Sequence, residues 1–192
     1  MARQAILLIH RRRFPEAEKR IEEAKTSLRD MEKYFSEWRE LGGSGAVYTA
    51  YQEFTEAKTL FDYVQSHRIP DPESIGVPSI PYLLGLADLI GELRRLTLDS
   101  IRAGDFEASE RSLATMEEIH ALLMTIDTAP AITPGLRRKG DSMRRVIEIT
   151  RGDVTTESRR RSLERSLVEL QRFLGDKGDE EKEKKSKTTA SG

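Results

Sequence analysis

The chain contains no cysteine. That excludes disulfide scaffolds, thiolate zinc sites and cysteine nucleophiles in one step, and it is the usage expected of a reducing compartment, the cytoplasm. Histidine is scarce too. His10, His67 and His120 are scattered without ligand spacing, so none of them is expected to be catalytic. Long hydrophobic runs are missing: the N-terminal run is only AILLI, followed by arginines, too short for the core of a signal peptide and far too short to span a membrane. Charge of one sign is not in excess either, with 32 basic against 33 acidic residues and a net charge of −1. Any nucleic-acid surface must therefore come from local clustering of the basic residues. Strict apolar alternation is nearly absent, no serine or threonine stands in a nucleophile context, and no internal repeat is visible.

What remains is a charge-rich chain, 34% Asp, Glu, Lys and Arg over 192 residues, long enough for one sizeable core. Apolar residues recur at i, i+3 and i+4 almost everywhere, which predicts an all-α fold of about seven helices. The first covers residues 2–12. A second opens at Pro15, which suits a first helical turn, and runs to about 41 with Ile21, Ala24, Leu28, Met31, Phe35 and Trp38 on one stripe. GGSG at 42–45 ends it. A third spans about 46–66, and 67–79, with three prolines, reads as a stiff connector. A fourth covers 79–101 and stops near Gly104, and a fifth covers 105–127. A sixth opens with Thr133 as N-cap and Pro134, and reaches about 150. A break near Gly152 precedes a seventh, to 174. Residues 175–192, charged and without apolar anchors, are expected to be a disordered tail beyond a single domain of 1–174.

The segment 79–101, SIPYLLGLADLIGELRRLTLDSI, is apolar on most of its circumference and so reads as buried. Yet Asp88 and Glu92 sit one turn apart on a single face, where carboxylates cost several kcal/mol, on the order of 3–5, unless paired or metal-bound. Gly85 and Gly91 thin the same helix for close neighbours. The third helix carries a second pair, Glu53 and Glu56, at the edge of its apolar arc. Taken alone, that pair reads as a solvated face, since glutamate is a common surface helix former. One pair on each of two apolar helices is, however, what a divalent-cation site in a helical bundle requires. With oxygen donors alone the expected ion is hard, Mg2+ or Mn2+, and phosphodiester hydrolysis fits that chemistry, a remaining carboxylate acting as general base.

PYLLGLADLIGELRR at 81–95 resembles the DYLLG-x-ADL-x-GEL-x-R signature of the translin/TRAX family. QEFTEA at 52–57 is similar to the Q-E-aromatic-x-E-A segment of TRAX, the nuclease subunit, a pair of acids that translin proper lacks. AILLIHRRR at 5–13 is similar to a TRAX helix, and 136–154 has the place and character of the family's sixth helix. The resemblance implies a football-shaped octameric shell and a metal-dependent endoribonuclease acting on single-stranded RNA inside it. It assigns catalysis to Glu53, Glu56, Asp88 and Glu92, with Glu53, Glu56 and Asp88 on the metal. The chain is shorter than TRAX at the N-terminus and between the two acidic helices, like a compact prokaryotic or archaeal member, so a homo-oligomer, a homo-octamer, is expected rather than a mixed assembly.

Basic residues supply the candidate RNA contacts: Arg11, Arg12 and Arg13 after the first helix, Arg95 near Asp88 on the helical wheel, and Arg137, Arg138, Arg144 and Arg145, which with Lys139 give the sixth helix a basic face. For each, a solvated or ion-paired arginine is the competing reading. Two other functions stay open at this point: a non-catalytic oligomer that binds single-stranded RNA or DNA, and a structural bundle whose acids pair with arginines.

Overall fold

The computed structural model describes residues 1–37, 45–126 and 134–189, with side chains described for 1–33, 45–126 and 135–173. Trp38, residues 42–44 of the GGSG stop, the N-cap role of Thr133 and residues 190–192 lie outside the described residues, as do the side chains of Phe35 and Leu174; Gly45 opens the next helix. All seven elements among the described residues are helices: α1 (Ala2–His10), α2 (Phe14–Glu37), α3 (Gly45–Ser66), α4 (Pro72–Ile75), α5 (Ser79–Ala103), α6 (Phe106–Ile126) and α7 (Pro134–Thr189). None is long and apolar enough to cross a membrane.

The expected number of helices is met by a different partition of the chain. The proline-rich connector holds a helix of its own, because Asp71 accepts a hydrogen bond from the Ser74 amide at 2.8 Å, Pro72 sits at the first turn, and Gly76 closes the last at φ 70°. At the other end, Gly152 does not break the chain: α7 continues from Pro134 to Thr189, taking in residues 175–189 that composition leaves without structure. A glycine in a helix interior costs about 1 kcal/mol, which helix-forming flanks offset. One such aid is local, Arg160 bridging Glu157 and Glu164 one turn to either side. Gly152 instead marks the limit between two compact units, 1–151 and 152–192.

In the first unit α5 packs against both α3 and α6, while α1 and α2 pack on each other and on α3. Its core includes Ile9, Ile21, Phe54, Leu60, Leu86, Leu89, Ile90, Leu93, Met116, Leu123 and Leu136, all nearly inaccessible to solvent. The buried face of α5 runs from Pro81 through Gly85, Leu89 and Leu93 to Thr97. Gly85 is where α5 meets α3 most closely: a Cβ there would lie 2.6 Å from Thr55 Cβ and 2.8 Å from the Gln52 carbonyl oxygen. Gly91, expected to play the same part, faces open space. It points away from α3, so only one of the two glycines sets the spacing of the acidic helices. Tyr51 of α3 donates its hydroxyl to Glu32 of α2, tying those helices on the other side.

In the second unit, Leu163, Leu167, Val168, Leu170 and Phe173 are exposed large apolar side chains on α7.

Candidate functional site

Glu53 and Glu56 lie on α3, Asp88 and Glu92 on α5, and the contact at Gly85 brings the two stretches side by side. All four carboxyls are half-buried at the edge of the core rather than sealed inside it. Their mutual approach is registered by Glu56. Burial, then the negative charges of Asp88 and Glu92, push its carboxyl up to about 7; Lys139 partly offsets them and Glu53 adds to them.

Three of the acids hold partners from the chain itself. Glu53 accepts from Arg3 of α1 at 2.6 Å, in a pair whose arginine is largely exposed and which therefore contributes little to stability. Glu92 accepts from His10 Nε2 at 2.6 Å; the His10 side chain is 2% exposed and its Nδ1 is buried without a hydrogen-bond partner. Asp88 is held at both oxygens, by the Lys139 ammonium on Oδ1 and the Gln52 amide on Oδ2. Glu56 has no side-chain hydrogen bond or ion pair among the described residues.

As partners of the acids these residues are not legible in the sequence, although two carry a signal. Lys139 lies three residues after Leu136 and four before Met143, on the buried stripe that continues through Ile147 and Thr150. His10 lies one turn after Ile6 on the buried side of α1. A polar residue in an apolar stripe asks for a partner. Gln52 opens the QEFTEA segment, but nothing in the spacing pairs it with Asp88, and Arg3 carries no mark.

The arginines divide differently. Arg95 is exposed and has no ion-pair partner among the described residues; its neighbour Arg94 turns inward to Thr150 Oγ1 at 2.7 Å. At the end of α1, Arg11 and Arg12 are exposed and Arg12 adopts the left-handed φ of 58° that turns the chain into α2, whereas Arg13 is tied to Glu16. Arg137, Arg138, Arg144 and Arg145 are all exposed and without ion-pair partners among the described residues, so they present free cationic charge along α7.

The donor set suits a hard divalent ion. It consists of carboxylate oxygens brought close together, whose negative charges add to burial in raising the Glu56 proton affinity and are what a cation would offset. The side chains are turned to their own partners, however, and no three of them stand in ready ligand geometry among the described residues. A bound ion would need Glu53, Glu56 and Asp88 to rotate toward one point.

A pH dependence follows from Glu56. In the unfolded chain its carboxyl titrates near 4.5, and in the fold near 7. Between those values the native state binds more protons than the unfolded one, so stability falls as pH rises through this window and the loss is complete above it. The full shift corresponds to about 3 kcal/mol, reduced to about 1.5 by solvent screening of a half-exposed group. Glu56→Gln should therefore raise the melting temperature by about 4 °C at pH 8 in a chelating buffer, and much less at pH 5, by differential scanning fluorimetry. An equal gain at both pH values would show that neither burial nor the neighbouring carboxylates penalise the charged form of Glu56.

Comparison with known proteins bears on the family and the fold. The family model described as the Translin family matches residues 1–149. An uncharacterized protein of Methanocaldococcus jannaschii is 36% identical over 113 residues, 58% of this chain and 50% of that protein, so the chain spans about half the length of this relative. Among solved structures, AfC3PO superposes with a TM-score of 0.75 at 32% identity, covering 83% of each chain. AfC3PO in its complex with duplex RNA gives 0.70 at 30% identity, again over 83% of each. Apo-NeC3PO gives 0.73 over 81% of each, but at 24% identity it speaks for the fold alone. With a family match over most of its length and the helical fold of these neighbours, the chain belongs to the translin family.

Proposed function

We propose that the chain is a Mg2+- or Mn2+-dependent endoribonuclease that cuts single-stranded RNA within a cytoplasmic homo-octameric shell. The observation that carries this reading is the meeting of Glu53 and Glu56 of α3 with Asp88 and Glu92 of α5 beside the Gly85 contact, where burial and the neighbouring negative charges together push the Glu56 carboxyl up to about 7. Such a concentration of negative charge repels RNA unless a cation intervenes. AfC3PO, a neighbour in fold and sequence, has a solved structure in complex with duplex RNA, which supports RNA as the polymer bound.

In this reading Glu53, Glu56 and Asp88 would hold the divalent ion, which would supply Lewis-acid polarisation of a phosphoryl oxygen and a lowered pKa for a bound water. Glu92, oriented by His10 Nε2, takes the proton of that water. The buried position of His10 limits the rotamers open to Glu92, so the base is fixed before substrate arrives. Arg95 and the exposed Arg137, Arg138, Arg144 and Arg145 supply phosphate contacts that add salt-dependent affinity without sequence preference, as do Arg11 and Arg12. Arg13, engaged with Glu16, would have to release it to contribute.

The test is cleavage of an end-labelled single-stranded RNA by the purified chain in Mn2+ or Mg2+, resolved on a denaturing gel. Internal products that disappear on chelation are expected, with the fully paired duplex of the same sequence cut more slowly. A second reading, a translin-like oligomer that holds single-stranded RNA or DNA without cutting it, is favoured by one observation: the chain's own side chains occupy three of the four acids. Salt-sensitive binding without cleavage in any divalent metal would establish it in place of the first.

A further inference from the structure

We propose that Lys139 is a displaceable counter-ion: its ammonium holds the place on Asp88 that a divalent ion takes on loading, so the metal enters as the lysine leaves. This rests on the metal reading above and adds to it a control of occupancy supplied by α7.

Among Arg137, Arg138, Lys139, Arg144 and Arg145, only Lys139 is withdrawn from solvent, its side chain 29% exposed. It shares the stripe of Leu136, Met143, Ile147 and Thr150, where an ammonium is costly unless an anion meets it. Asp88 is that anion, contacted through Oδ1, and the charge of Lys139 also reaches Glu56. The other oxygen of Asp88 accepts from Gln52, a neutral amide that leaves the carboxylate charge uncompensated. Lys139 is therefore the cation in contact with Asp88, while Arg3 and His10 serve Glu53 and Glu92 instead.

An ammonium and a divalent cation cannot both sit against Asp88, because like charges at contact distance repel strongly in a half-buried setting. The lysine is the group able to yield. It is a single point charge on a flexible four-carbon stem, and partial exposure leaves it a way out to water. An arginine in its place would grip the carboxylate through two parallel N–H bonds and leave less readily. A permanent structural ion pair makes the opposite demand: removing the lysine would disturb the site and weaken metal binding.

The experiment is titration of the metal-free full-length chain with Mn2+ alone, by calorimetry and by electron paramagnetic resonance of the free ion, with no RNA present. Lys139→Met is expected to bind Mn2+ about tenfold more tightly than the parent because the competing charge is gone, and Lys139→Arg several-fold more weakly. Equal affinity in all three, or weaker binding by the methionine variant, overturns the proposal while leaving the metal site standing. Absence of Mn2+ binding by the parent and both variants overturns the metal reading and this inference together. Should the methionine variant not fold, the parent provides its own measurement. Reductive methylation with formaldehyde, mapped by peptide mass, should modify Lys139 about tenfold faster in saturating Mn2+ than in its absence. An unchanged rate overturns the proposal.

Discussion

Replacing Glu53 and Glu56 together by alanine should slow RNA cleavage by about a thousandfold, the scale on which loss of transition-state charge stabilisation is felt. The two residues are α3's whole contribution to the acidic cluster, and without them Asp88 is left as the single proposed ligand, already engaged by Lys139 and Gln52. The variant should fold normally. Glu56 is a group the fold tolerates at a cost, and the Arg3 pair that Glu53 forms is largely exposed, so neither removal takes away a large stabilising contact. RNA affinity should change by less than about threefold at fixed salt, because the proposed phosphate contacts lie on other residues. Cleavage at the parental rate would show that the chemistry lies elsewhere; loss of folding would show that α3 needs these acids for its structure.

The second large effect concerns Gly85. Alanine there places a Cβ 2.6 Å from Thr55 Cβ and 2.8 Å from the Gln52 carbonyl oxygen, atoms fixed to the backbone of α3 that cannot swing aside. The helices must separate, at about 3 kcal/mol, a fall of roughly 9 °C in melting temperature for a chain of this size. The same movement carries Gln52, and with it Glu53 and Glu56, away from Asp88, so Mn2+ affinity should fall about tenfold as in other sites whose supporting shell is lost. Thr55→Gly in the same chain should restore part of the stability, limited by its own helix cost of about 1 kcal/mol and by the remaining carbonyl contact. Gly91→Ala is the contrasting case. Nothing lies within 4 Å of the added Cβ, so it should stabilise the helix by about 0.5–1 kcal/mol and leave metal binding unchanged. If Gly85→Ala melts like the parent, the close approach of α3 and α5 does not govern this fold.

Much of the site is legible in the order of the residues. Four carboxylates at i, i+3 and i, i+4 spacing on apolar helices are a local pattern, and helical geometry alone places each pair on one face. Their partners are not legible in that way. On the helical wheel Arg95 comes round toward Asp88, but the side chain that reaches Asp88 is Lys139, fifty-one residues on in sequence. His10 has no second histidine at ligand spacing to mark it, yet it lies against Glu92 from a helix eighty-two residues away. Spacing describes one helix at a time; contacts between helices depend on rotation and tilt that side-chain packing selects.

The sequence by itself determined that the chain is helical, where most helices begin and end and which faces are apolar, because periodicity and capping act within a few residues; the family resemblance rested on the motifs at 52–57 and 81–95. Boundaries marked by glycine and proline are where local pattern is weakest. A helix forms inside the proline-rich connector because Asp71 caps it, and α7 passes through Gly152 because one glycine is a small cost against a long helix. Only the tertiary structure decided which glycine of α5 is a contact and which is bare, that Glu56 is the acid of the four left without a partner among the described residues, and that a lysine from α7 holds Asp88. Those outcomes follow from close packing, in which a neighbour one methyl nearer or farther settles whether two helices can meet and which charges they bring together.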